Sequence, residues 1–265
     1  DAYELKTSIN HKPLIDQNSN GLIGFHFQNK DQGALGEEEG HLERTKTNSF
    51  ALFVLENFNF ESFDLDVGGR IESVNLKNTD HENGFFPGAF SSTIKTELVP
   101  NNTVFAGFDF TQRAPNPVEL YANGPHHALE NFENGEITLN KESSYNFSLG
   151  YNYEKDLNKV KIEVYYNYID DFIAADRDGA TVEVEGEDFN NVIHDQYNAI
   201  FTGAELSGQY GIAKIDNFDL ISNLTIDFLK GYRTSNDKAL SRIPQSKINA
   251  GLQVLNDNWD ANLNY

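Results

Sequence analysis

The chain has no cysteine and no methionine. The lack of cysteine suits an exported protein that needs no disulfides, and equally suits many cytosolic ones. Long apolar runs are missing too. The longest is Phe50 to Leu55, whereas a spanning helix needs about 20 such residues. That excludes helical insertion into a membrane. It leaves open a transmembrane barrel, whose strands hide their apolar residues by alternation. Positive charge is scarce: 20 Lys and Arg stand against 41 Asp and Glu, for a net charge of -21 and a pI of about 4.5. Such a surface repels nucleic-acid phosphate and favours cations, although a solvated acidic surface can also serve solubility alone. Catalytic signatures are absent: there is no Gly-x-Ser-x-Gly, no phosphate-cradling loop and no His-Glu-x-x-His. No signal peptide is visible, and a chain starting at Asp1 is expected to be a processed form or an excised section.

What the sequence does have is strict alternation. From Ser144 to Tyr153, one side reads Tyr145, Phe147, Leu149, Tyr151 and Tyr153; the other reads Ser144, Asn146, Ser148, Gly150 and Asn152. From Phe63 to Glu72, Phe63, Leu65, Val67, Gly69 and Ile71 oppose Asp64, Asp66, Gly68, Arg70 and Glu72. The pattern returns at 160–168, 218–228, 248–254 and 259–265. A period of two over such lengths predicts strands with one apolar face. Roughly twelve are predicted, near 3–10, 21–28, 48–57, 62–75, 90–98, 102–111, 143–154, 159–172, 198–211, 216–231, 246–255 and 258–265. One short helical turn is expected at 118–123, and a small hairpin arm around Val182-Glu183-Val184.

The links between these strands alternate in length. Short ones fall near 58–61, 99–101, 155–158, 212–215 and 256–257; long ones occupy 29–47, 76–89, 112–142, 173–197 and 232–245. Outer-membrane barrels pair short periplasmic turns with long extracellular loops, which places the 112–142 segment outside or folded over the mouth. The link at 11–20 is longer than its side of the membrane predicts. Aromatic clusters at Phe58, Phe60, Phe63 and at Tyr165, Tyr166, Tyr168 fit interfacial girdles, as they also fit ordinary strand preference. A Lys or Arg facing lipid at mid-membrane costs about 2–4 kcal/mol, so Asp64, Asp66, Arg70, Glu72, Lys161, Glu163, Glu205, Asp219 and Asp227 are expected on the lumen side.

Candidate metal ligands concentrate in the longest loop. His126 and His127 share it with Glu119, Glu130 and Glu133; imidazole and carboxylate suit zinc, which takes about four ligands. Adjacent side chains diverge in extended backbone, so one His of the pair is expected to ligate. A second, cation-attracting segment is Glu37-Glu38-Glu39-Gly40-His41, for which a solvated charge run is the plainer reading. Asp80-His81-Glu82 and His194-Asp195 are weaker candidates. His11 sits in a link and His26 falls on the lumen side, and for either a satisfied structural histidine is an open reading. Arg113-Ala114-Pro115 marks a loop start: Pro115 and Pro117 stop strand pairing, and Arg113 is placed to hold loop acids.

These same residues carry a family resemblance. Arg113-Ala114-Pro115, Glu119-Leu120-Tyr121 and Gly124-Pro125-His126-His127 resemble the late-barrel segment of TonB-dependent outer-membrane receptors, most like the zinc-importing branch. Gly36-Glu37-Glu38, the stretch Thr45 to Phe53, and Gly68-Gly69-Arg70-Ile71-Glu72 follow the same order. Glu136 to Glu142 departs from the family pattern, which has Asn-Pro and Lys-Pro-Glu there. The resemblance implies an all-β, antiparallel up-and-down transmembrane β-barrel of which residues 1–265 are a segment: about 12 strands of a larger barrel, lacking the plug domain and the barrel C-terminus. It implies a receptor in the bacterial outer membrane, not an enzyme, in contact with outer-membrane lipid. It implies a partner in the TonB complex of the inner membrane, acting through the plug, and no permanent cofactor. The transported ligand would be a scarce metal ion, zinc being the expected one, or a metal complex, held by His126, His127, Glu130 and Glu133. Siderophore and haem remain alternative cargoes. Two other architectures fit the strand pattern: a closed small pore, which would pair the strands near 3–10 and 258–265, and a soluble all-β binding module, which would bury the apolar faces between two sheets.

Overall fold

A computed structural model describes residues 1–12, 19–36 and 40–265. The first half of the chain forms β1 (Ala2–His11), β2 (Ser19–Gln32), β3 (Thr45–Asn59), β4 (Asp64–Lys77), β5 (Glu82–Phe85), β6 (Gly88–Val99) and β7 (Asn102–Arg113). A short helix, α1 (Pro117–Tyr121), and the small strands β8 (Asn123–His126) and β9 (Asn131–Asn134) follow. Then come β10 (Glu142–Lys155), β11 (Asn158–Val184), β12 (Glu187–Ile215), β13 (Phe218–Arg233), β14 (Lys247–Leu255) and β15 (Asp260–Asn264). Twelve of these make one antiparallel meander in the order β1-β2-β3-β4-β6-β7-β10-β11-β12-β13-β14-β15. The architecture is therefore the predicted up-and-down sheet. It is open, because β1 and β15 stand at opposite ends of the strand order, and the pairing required by a closed small pore does not occur.

Register divides each strand into two faces. His26 and Glu72 both lie opposite Ala51, and Arg70 lies opposite Phe53. On this shared face Arg70 donates to Glu72 at 2.9 Å, its other contact is the His26 ring at 3.3 Å, and His26 in turn meets Glu4 at 2.9 Å. Further round the sheet, Glu163, Glu205 and Asp227 form one row across β11, β12 and β13. This is the polar, lumen-side face. The opposite face presents Phe27, Phe50, Leu52, Ile71, Phe90, Phe147, Leu149, Val164 and Phe228, all left uncovered by protein. Aromatic rings run across it, with Phe108 6.4 Å from Phe90 and 4.9 Å from Phe147. All strands belong to a single sheet, so no opposing sheet buries this side. A band of this kind is stable against hydrocarbon and not against water.

The buried apolar core lies among the long links. Leu42, Leu76, Leu120, Tyr121, Leu139 and Ile173 pack together, joining the tops of β4 and β11 to the 40–42 and 112–142 segments. The extracellular loops thus form a folded cap with its own interior. The link predicted at 173–197 is largely strand: β11 and β12 continue as a hairpin arm to Val184 and Glu187, with register shifts at Ile169/Phe172 and Arg177/Thr181. The arm expected around Val182-Glu183-Val184 is its tip. His11 closes β1 rather than lying in a link, and reaches Glu56 at 2.9 Å.

Candidate metal centre

The cap is assembled outward from the top of β7. Arg113 bridges Glu142 at 2.6 Å and Glu119 at 2.8 Å, so it does hold loop acids. Pro115 and Pro117 withdraw the backbone donors a strand needs. Asn116 then caps α1: its side chain accepts from the Val118 and Glu119 backbone N–H groups at 2.9 and 3.0 Å, and Glu119 accepts from the Asn116 N–H at 2.7 Å. This reciprocal box starts a helix too short to stand alone. Burial of Leu120 and Tyr121 holds it down, and the Tyr121 hydroxyl donates to Asn83 at 2.7 Å.

Beyond α1, β8 and β9 form a hairpin, and β9 adds in parallel to β12 from Asn131↔Asn190 to Asn134↔Ile193. Asn134 donates to Asn191 at 2.8 Å, and Arg177 to Asn131 at 3.0 Å. The 40–42 segment lies against β8, where the Asn123 N–H donates to the His41 carbonyl at 3.0 Å. Gly124 permits that approach, since a Cβ there would stand 2.4 Å from the Gly40 carbonyl oxygen. We expect Gly124→Ala to destabilise the cap by about 1–3 kcal/mol, seen as faster proteolysis within residues 112–142 while the barrel resists.

Four side chains from three separate stretches meet in this cap: His41, His126 on β8, Glu133 on β9 and His194 on β12. Glu133 is the hub. With the carboxylate as acceptor, His41 Nε2 donates to Glu133 Oε2 at 3.2 Å. His194 Nε2 stands 3.9 Å from the same oxygen, too far for a hydrogen bond. The His126 ring meets the edge of His41 with 5.2 Å between centroids. Glu133 is 8% exposed and His194 6%. The facing His194, joined by His41, holds the Glu133 carboxyl below the usual carboxylate range against the upward pull of burial. Among the described residues, His194 Nδ1 has no hydrogen-bond partner, a costly state for a buried polar atom.

Donor atoms 3.2 and 3.9 Å apart bracket the edge of a zinc tetrahedron, about 3.3 Å for metal bonds near 2.0–2.1 Å. Among the described residues no group of three or more His, Cys, Asp or Glu side chains stands close enough together to hold a metal ion; in this arrangement His41 and Glu133 are joined by a hydrogen bond. Of the ligands expected from sequence, His126 and Glu133 are in the cluster. His127 turns away to Glu187 at 3.8 Å and to the edge of Phe189. Glu130 is exposed, in left-handed conformation (φ 50°), and its carbonyl accepts from the Asn190 N–H. His41 joins the centre, while its neighbours Glu37, Glu38 and Glu39 lie outside the described residues. His194 enters from the stretch read as a loop. Burial alternates there, with Val192 and His194 inside and Ile193 and Asp195 outside, but residue type does not, so the sequence carried no strand signal for it. Elsewhere His81 stacks on Tyr121 and Glu82 pairs with Lys77.

A family model described as "TonB dependent receptor-like, beta-barrel" matches residues 3–265. Among solved structures, the fold is similar to "Copper transporter OprC" (TM-score 0.74, 16% identity, covering 98% of this chain and 42% of that one). It is also similar to the hemophore receptor HasR of Serratia marcescens, solved with its hemophore HasA and heme (TM-score 0.69, 13% identity, 99% and 50%). The ferric enterobactin receptor PfeA of Pseudomonas aeruginosa is a third (TM-score 0.66, 15% identity, 95% and 38%). The chain spans half or less of the length of each.

Proposed function

The chain belongs to the TonB-dependent receptor β-barrel family, receptors and transporters of the Gram-negative outer membrane, and from that premise we propose that it forms part of a receptor importing a metal ion, zinc in the first place. The observation that carries this reading is the Glu133 carboxylate, buried in the extracellular cap among His41, His194 and His126. A cation arriving from outside takes the place of the proton between His41 and Glu133, and gains the lone pair of His194. Imidazole and carboxylate donors suit zinc. The copper transporter among the structural relatives makes copper the natural comparison. Soft thiolate and thioether ligands select Cu(I), and these 265 residues contain neither. The acidic balance of -21 raises the local concentration of any cation at the mouth. In the whole receptor, the TonB complex of the inner membrane supplies the energy for release inward.

The test is a titration of the full-length receptor in detergent with Zn2+, Cu2+, haem and a ferric siderophore. One equivalent of zinc bound in preference to the other three is the expected result. Binding of haem or siderophore with no stoichiometric zinc would remove the ion from this reading.

A further inference from the structure

We propose that Gln196 is a positioning residue of the metal centre, its side-chain amide fixing the stretch of β12 that presents His194, a role that rests on the zinc reading of that centre. His194 sits in a short ladder broken at both ends. Six pairs, from Phe172↔Tyr197 to Arg177↔Val192, join β11 and β12 between two register shifts, and His194 opposite Ala175 is one of them. Below these pairs, Asp170 and Asp171 together oppose Asn198, and Asp171 is in left-handed conformation (φ 56°), a bulge in β11. Above them, residues 178–180 oppose Asn191 alone. A ladder cut off on both sides is not bound to the register of its neighbours. A slip of one residue turns every side chain to the other face, which here would exchange buried His194 for exposed Ile193 or Asp195.

Gln196 supplies the missing constraint. It lies two residues from His194, on the same face of the strand. Its side chain copies the two-way pairing of a backbone peptide: Oε1 accepts from the Asn140 N–H at 2.7 Å, and Nε2 donates to the Asn140 carbonyl at 3.0 Å. The same Nε2 donates to the Asp171 carbonyl at 2.8 Å, inside the bulge. One amide thus ties β12 both to the 136–142 stretch of the cap and to the break in β11. Both of its N–H donors are spent there, so Gln196 acts on an ion only through His194. Asn198 closes the lower break from β12 by accepting from the Asp171 N–H at 3.2 Å. Asn191 closes the upper one by donating to Asp178 at 2.7 Å. Glu142 also reaches the arm, accepting from the Ile173 N–H at 2.6 Å, but it holds β11 and leaves β12 free.

The experiment is a double-mutant cycle of zinc affinity in the full-length receptor, combining His194→Ala with a change at Gln196. Gln196→Met keeps the length of the side chain and loses all three hydrogen bonds. It should weaken zinc about tenfold, the scale for a group that supports a metal ligand. In the His194→Ala background the same change should add less than about twofold, because the two residues act as one unit. Gln196→Glu keeps the bond from Asn140, loses the two donated ones, and should weaken zinc as Gln196→Met does. Hydrogen exchange of residues 192–197 without metal should quicken in both Gln196 variants and stay unchanged in His194→Ala. Tyr121→Phe, which loses the bond to Asn83 elsewhere in the cap, reports general loosening and should leave zinc affinity unchanged. Heat-modified gel mobility verifies folding. Additive losses in the cycle, an equal loss from Tyr121→Phe, or full affinity in both Gln196 variants would overturn the positioning role and leave the metal centre standing. No loss from His194→Ala is the separate failure of the zinc reading, and this role falls with it.

Discussion

Replacing His194 by Ala is expected to lower the zinc affinity of the full-length receptor about ten- to a hundredfold, and replacing His127 by Ala to leave it unchanged. The scale is that of perturbing groups in direct support of a metal, and a ligand should cost no less. The two residues make a sharp pair because sequence and fold favour different ones: His127 adjoins His126 in the motif, whereas His194 lies 61 positions from Glu133. In the fold His194 is buried with its Nε2 3.9 Å from Glu133, while His127 is part-exposed and directed at Glu187. Competition against a chromophoric chelator measures the effect. Equal losses from both variants, or none from either, would place the ion outside this cluster.

The contrast shows which parts of the molecule are legible in sequence. Strands obey a local rule, so the period of two located the twelve long ones, from Ala2–His11 to Asp260–Asn264. The lumen row of Glu163, Glu205 and Asp227 followed from the cost of charge in hydrocarbon. The cap obeys no local rule. Glu133 reaches His194 because β9 adds in parallel to β12, a pairing set by Asn134, Asn191 and the tight approach at Gly124, none of which has a periodic signature. His41 reaches Glu133 across 92 positions through a backbone bond to Asn123 that any residue type could make. The upper half of the β11–β12 arm escaped for a related reason. Above the membrane both its faces are polar or packed on the cap, so the alternation that marks a lipid-facing strand fades from about Phe172 onward.

The face assignment itself has a large and simple consequence. Leu149 is 60% exposed in the middle of β10, flanked across the ladder by Ala106 and Val164. Leu149→Arg should destabilise the receptor in lipid by about 2–4 kcal/mol, the midplane cost of an arginine facing hydrocarbon. Asn146→Arg, three residues away on the other face, places the same charge beside Asp109, whose carboxylate already accepts from the Asn146 amide at 3.2 Å. That variant should lose less than about 1 kcal/mol, since the new guanidinium gains a carboxylate and stays wet. Urea refolding into lipid vesicles reads both. The ordering depends on hydrocarbon touching Leu149. Were that side covered by protein, Leu149→Arg would fail to fold in any medium, and in detergent-free buffer the wild type would remain soluble. Were both sides wet, the two substitutions would cost the same. Only a membrane-facing wall gives a penalty that appears for one side chain of the strand and vanishes for its neighbour on the opposite face.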